Sequence, residues 1–128
     1  MASLRCYDPG GFGGGIHRWY YDLTGDVQAA VDAALELFPV ERDLERLPHF
    51  KPLRGACEGL DEVIVDLDNG RHFRILGFRG PARGEFTLLF AFEKTRGSID
   101  YGPGCWAAQQ RKGGVIRDGR KAPPCQFP

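Results

Sequence analysis

At 128 residues the chain suits one domain, able to bury about two-thirds of the surface its unfolded form would expose, and no second domain is needed. Lys/Arg and Asp/Glu number 17 each and cancel, yet residues 1–70 hold 6 basic against 13 acidic residues and residues 71–128 hold 11 against 4. No apolar run approaches the ~20 residues of a bilayer span, and no basic-then-apolar leader opens the chain, so a cytoplasmic protein with no membrane partner is expected.

The basic second part suits a partner with phosphates or an acidic protein. Neutralisation of one half by the other within a single fold is an equally good account of the charge alone. Cys6, Cys57, Cys105 and Cys125 lie far apart, without the two-to-four-residue spacing of metal or redox pairs. They are expected as free, reduced thiols, with no metal and no cofactor.

In chain order, DPGGFGGG (residues 8–15) matches neither phosphate-loop spacing, and residues 1–15 read as a flexible glycine-rich lead-in. IHRWYYDL supplies β-branched and aromatic residues suited to a first strand. TGD is a turn, with Asp26 placed to cap a helix. In that helix Val27, Val31, Ala34 and Phe38 recur at spacings of three and four on one face. Pro39 ends it, and a second helical piece aligns Val40, Leu44 and Leu47 before Pro48.

HFKPLRGACEG reads as a loop, and LDEVIVDLDNGRHFRILGF as two strands around a turn. A two-residue Asn69-Gly70 loop would mix polar and apolar residues on both faces. A three-residue loop, Asp68-Asn69-Gly70 with Gly70 left-handed, instead sets Val65 opposite Phe73 and Val63 opposite Ile75. Glu62, Ile64, Asp66, His72, Arg74 and Leu76 then share the other face. EFTLLFAFEK is apolar enough for a central strand buried on both sides. GPGCWAAQQRKGG predicts a short helix anchored by Trp106, with Trp106 and Trp19 read as core anchors ahead of base-stacking platforms, and residues 113–128 a basic tail with little to fold it.

The pieces KPLRG (Lys51 to Gly55), GLDEV (Gly59 to Val63), RHFRILGF (Arg71 to Phe78) and FTLLFAFEK (Phe86 to Lys94), then Pro103 with Ala107, Ala108 and Arg111, resemble in order and spacing the RelE/ParE toxin superfamily, in its HigB-like, phage-associated branch. Ile64 and Glu93 stand where that branch usually has Arg and Lys. The resemblance runs from about Trp19 to Arg111, which sets a toxin-like domain at residues 16–112. It implies a small α+β, RelE-like domain: an antiparallel-rich twisted sheet with two N-terminal helices on one face, a short C-terminal helix and a basic surface on the other face. It also implies a toxin of a type II toxin–antitoxin module that cleaves mRNA without metal, on the ribosome, with a helix-turn-helix antitoxin as partner. The alternative is a non-catalytic binding protein of the same superfamily, either a gyrase inhibitor or an inactive phage-derived relative.

Cleavage of this kind activates a ribose 2′-hydroxyl against the adjacent phosphate and needs a base, an acid and cations. The candidate catalytic residues are Arg74, Lys51, His72 and Lys94, and the candidate RNA-binding residues are Arg54, Arg71, Arg79, Arg83 and Arg111. Two of these have plain structural accounts: an ion pair of Arg74 with Glu62 on the same face, and a pairing of His72 with Asp66.

Overall fold

A computed structural model describes residues 2–10, 14–95 and 101–127. The middle of the glycine-rich segment, residues 11–13, lies outside the described residues. The chain forms an α+β domain built on five strands: β1 (Ser3–Cys6), β2 (Phe50–Pro52), β3 (Asp61–Asp66), β4 (His72–Arg79) and β5 (Glu85–Glu93). Their order across the sheet is β1-β5-β4-β3-β2. Three pairings are antiparallel, and β1 runs parallel to β5 along the edge.

The hairpin adopts the three-residue loop. Val65 pairs with Phe73 and Val63 with Ile75, Leu67 N–H donates to Arg71 O at 2.9 Å, and Gly70 has φ +85°. Period-two alternation forces this register, because a one-residue slip would carry every apolar side chain to the wrong face. Further along, the β4–β5 register skips Leu89 between Leu76↔Phe90 and Gly77↔Leu88. Gly77 is required there, since a Cβ would stand 2.4 Å from Thr87 O and 2.8 Å from the Phe86 ring. Gly77→Ala should therefore rank among the most destabilising single substitutions, at about 1–3 kcal/mol of overpacking, as a shift in the chemical denaturation midpoint would register.

Helices cover both faces of the sheet. On the first face lie α1 (Ile16–Tyr21) and α2 (Gly25–Leu35). The residues expected to face inward, Val27, Val31, Ala34 and Phe38, are all buried, with Val63, Val65, Phe73, Ile75, Phe86 and Leu88 beneath them. Each such side chain contributes roughly 1.5–3 kcal/mol when fully buried. Segment 16–21 is a helix rather than the expected strand: Ile16 and Tyr20, four residues apart, both point into this core, and that packing overrides the β propensity of the aromatic run. The second helical piece reduces to a 3-10 turn at Leu44–Arg46, where Asp43 accepts from Glu45 N–H at 3.1 Å. Leu44 and Leu47 are buried, but Val40 is 65% exposed.

On the second face lies α3 (Tyr101–Arg117), which at 17 residues is no short helix. Tyr101, Cys105, Ala108, Lys112 and Val115 follow spacings of four and three, and Cys105, Ala108 and Val115 join Leu60, Leu76, Phe78 and Leu89 in a second core. Residues 113–117 continue this helix through two glycines instead of starting a tail. The remaining C-terminal segment is also held: Cys125 N–H donates to Leu4 O at 3.0 Å, and Phe127 stacks on Tyr20 at 4.2 Å. Trp106 is no core anchor, being 69% exposed.

The four cysteines are paired, contrary to the expectation of free thiols. Cys6 bonds Cys125 across 119 residues, and Cys57 bonds Cys105 across 48. Local spacing was the wrong guide, because strand and helix packing brings residues from distant parts of the chain together. Among the described residues no helix is long and apolar enough to cross a membrane.

Candidate functional site

Alternation along the strands aligns polar residues in rows across the second face. Lys51 pairs with Glu62, which faces Leu76; two residues along, Ile64 pairs with Arg74, which faces Phe92. A third row joins Asp66 to His72, whose carbonyl accepts from Lys94 N–H at 2.8 Å. The basic surface expected on this face is thus partly roofed by α3. At the uncovered end a cavity of about 520 Å³ is lined by Lys51, Leu53, Arg54, Cys57, Glu62, Ile64, Arg74, Lys94 and Tyr101.

Four of the candidate residues, Lys51, Arg54, Arg74 and Lys94, converge here. Lys51 and Arg54 are exposed and Lys94 is half-buried. Arg54 precedes a 3-10 turn, Gly55–Cys57, whose disulfide to Cys105 clamps this loop to the first turns of α3. The wall carrying Lys51 and Arg54 is thereby tied to the wall carrying Tyr101.

Arg74 differs from the expected open strand cation, being only 8% exposed. Its Nη1 donates to Asp66 Oδ1 and to Phe73 O, both at 2.8 Å. Its Nε lies 3.9 Å from Glu62 Oε2 and is the one buried side-chain nitrogen or oxygen without a hydrogen-bond partner among the described residues. Burial pulls the guanidinium pKa down, but hydrogen bonding with Asp66 and Tyr101 outweighs it and holds the group above its ordinary range. Both plain accounts hold: Arg74 faces Glu62, and His72 Nδ1 lies 2.8 Å from Asp66 Oδ1.

Tyr101 completes the network by donating its hydroxyl to Glu62 Oε2 at 2.6 Å. Burial and then the Glu62 carboxylate push this phenol up to about 12, so at neutral pH it is a proton donor. Lys94 Nζ sits 5.8 Å from the Tyr101 ring centroid, within reach of a cation–π contact. Although burial acts to raise the Asp66 carboxyl pKa, hydrogen bonds from Arg74 and His72 hold it below its usual range. In the neutral ring, an ionised Asp66 that accepts from His72 Nδ1–H leaves Nε2 as an acceptor. His72 lines an adjoining cavity of about 270 Å³ that shares Arg74 and Lys94 with the first.

The remaining arginines are elsewhere. Arg71 makes a two-pronged pair with Glu93 at 2.9 Å. Arg79 lies 3.5 Å from Asp61 and 3.6 Å from Glu45, and Arg83 is exposed in the turn between β4 and β5. Arg111 is a structural brace: it donates to Leu89 O at 2.9 Å and to Gly14 O at 3.1 Å, with its guanidinium over the Tyr7 and Phe90 rings. Sequence reasoning missed Tyr101 as a site residue. Its signal was the four-residue step to Cys105 and the further three to Ala108, which put it on the sheet-facing side of α3.

No protein-family model, curated protein or solved structure matches the chain.

Proposed function

We propose that the protein is a metal-independent endoribonuclease acting on mRNA, the toxin of a toxin–antitoxin module of RelE/HigB-like kind, working with the ribosome and restrained by a helix-turn-helix antitoxin. The observation that carries this reading is the convergence of Lys51, Arg54, Arg74 and Lys94 on one cavity beside Tyr101 and His72. Exposed Lys51 and Arg54 would grip the phosphate, and Lys94 would offset charge gathering on its oxygens. His72, its acceptor nitrogen set by Asp66, would take the 2′-hydroxyl proton. As the new oxygen–phosphorus bond forms, the bond to the 5′ oxygen breaks. Tyr101 or a lysine would protonate that leaving oxygen, giving a cyclic phosphate and a 5′-hydroxyl end. Arg74, already countered by Glu62 and Asp66, would order the floor of the site.

The cytoplasm, where mRNA is found, is the proposed place of action. Its thiol pool keeps most disulfides reduced, so the Cys57–Cys105 clamp there would vary with the redox state of the cell.

A second reading, a non-catalytic binding protein such as a gyrase inhibitor, is favoured by the carboxylate pairing of Arg74. Purified protein incubated with mRNA and chelator, with and without ribosomes, separates the two. The nuclease reading expects new 5′-hydroxyl ends, reduced about 10²-fold or more in His72→Ala. Intact RNA in both arms, with the protein still arresting growth, would leave only the binding reading.

A further inference from the structure

We propose that the exposed indole of Trp106 is a stacking platform for one base of a single-stranded nucleic acid whose phosphate occupies the Lys51–Arg54–Lys94 cavity. The inference rests on the reading of that cavity as a phosphate site and adds a base-holding position outside it.

Trp106 is 69% exposed in a chain with only two tryptophans. It follows Cys105, whose disulfide partner Cys57 lines the cavity, and stands five residues, about 7.5 Å of helix rise, beyond Tyr101 in the cavity wall. The disulfide therefore fixes the backbone carrying the indole relative to the loop carrying Arg54. The hydrogen bond from Gln109 Nε2 to Glu58 O at 3.0 Å and that from Lys112 Nζ to Gly59 O at 2.9 Å add two further ties.

The surroundings favour a base over a protein surface. The other exposed large apolar residue of α3, Ile116, is ten residues away, about 15 Å along the axis. The exposed residues one turn either side of Trp106 are Gly102, Pro103 and Gln110. Along its own helix the ring has small, uncharged neighbours and no contiguous apolar patch of the kind that marks protein docking. It leaves a π-face open on the helix that Cys105 ties to the cation-lined cavity, and an aromatic face together with cations is what binds single strands without sequence preference.

The test uses a short 2′-O-methyl oligonucleotide, which cannot be cleaved, and copies with one abasic position. Labelled-oligonucleotide anisotropy measures affinity. Tryptophan emission is read in Trp19→Phe, where Trp106 is the sole tryptophan. Trp106→Ala should weaken binding about 10- to 100-fold, Trp106→Phe should keep most of the affinity, and emission of the Trp19→Phe variant should be quenched on binding. An abasic position at the stacked base should weaken wild-type binding by a similar factor and leave Trp106→Ala unaffected. Unchanged affinity in Trp106→Ala, or equal binding of intact and abasic strands by the wild type, would overturn the proposal. If Trp106→Ala leaves affinity intact but abolishes concentration-dependent self-association, the indole serves a protein interface and the proposal falls. Should Lys51→Ala and Arg54→Ala bind as tightly as wild type while Trp106→Ala does not, the phosphate reading of the cavity fails and the platform stands.

Discussion

Removing the Cys6–Cys125 bond should lower unfolding free energy by about 2–5 kcal/mol, the larger effect of the two disulfides. The bond closes 119 residues of chain, against 48 for Cys57–Cys105, and in the chain-entropy account a longer loop removes more freedom from the unfolded state. Its native surroundings argue the same way. Cys6 is fully buried at the end of β1, an edge strand of only four residues, and the bonded C-terminal segment covers the outer side of that edge through Cys6 N–H to Pro123 O at 2.9 Å. Arg5 adds contacts to Ala122 O and Gly119 O, at 2.5 and 2.9 Å. Urea unfolding of the paired variant Cys6→Ala/Cys125→Ala, beside Cys57→Ala/Cys105→Ala, measures both losses. An unchanged midpoint in the first variant, or four reactive thiols in the unfolded, unreduced chain, would contradict the pairing.

The hairpin was legible because strict alternation leaves one acceptable register, and because Asp68-Asn69-Gly70 offers a glycine where the loop demands a positive φ. Helix α2 was legible from Val27, Val31, Ala34 and Phe38 alone. Where tertiary context decides, local reading failed. Strand β1 is four residues whose pairing lies some eighty residues away in β5. The two glycines 113 and 114 argue for a helix end, yet buried Val115 and the second core extend α3 past them. For the site, alternation placed Arg74 and His72 on one face with Glu62 and Asp66, whereas Lys51, read as part of a loop, joins them only through strand β2. Their mutual neutralisation follows from that shared face, but the burial of Arg74 required knowing that Tyr101, the first residue of α3, packs beside it and Glu62.

Arg74→Ala should destabilise the fold by about 3–5 kcal/mol, the cost of leaving a buried charge without its partner. The open strand face expected from sequence would have made this substitution nearly free. Glu62 is 4% exposed and accepts a hydrogen bond from the uncharged hydroxyl of Tyr101, so without the guanidinium its carboxylate loses its ion pair. Asp66 contributes little to this loss, since its half-exposed carboxylate is screened by water. Loss of cleavage in Arg74→Ala is therefore ambiguous by itself, and the double variant Arg74→Ala/Glu62→Gln resolves it. Neutralising Glu62 removes the stranded charge and should return a large part of the lost stability. Cleavage that recovers with stability marks Arg74 as the residue that orders the floor. Restored stability with cleavage still about 10²–10³-fold down would mean that Arg74 itself meets the phosphate. A wild-type denaturation midpoint in Arg74→Ala would refute the buried pair, and with it the account of how this site is built.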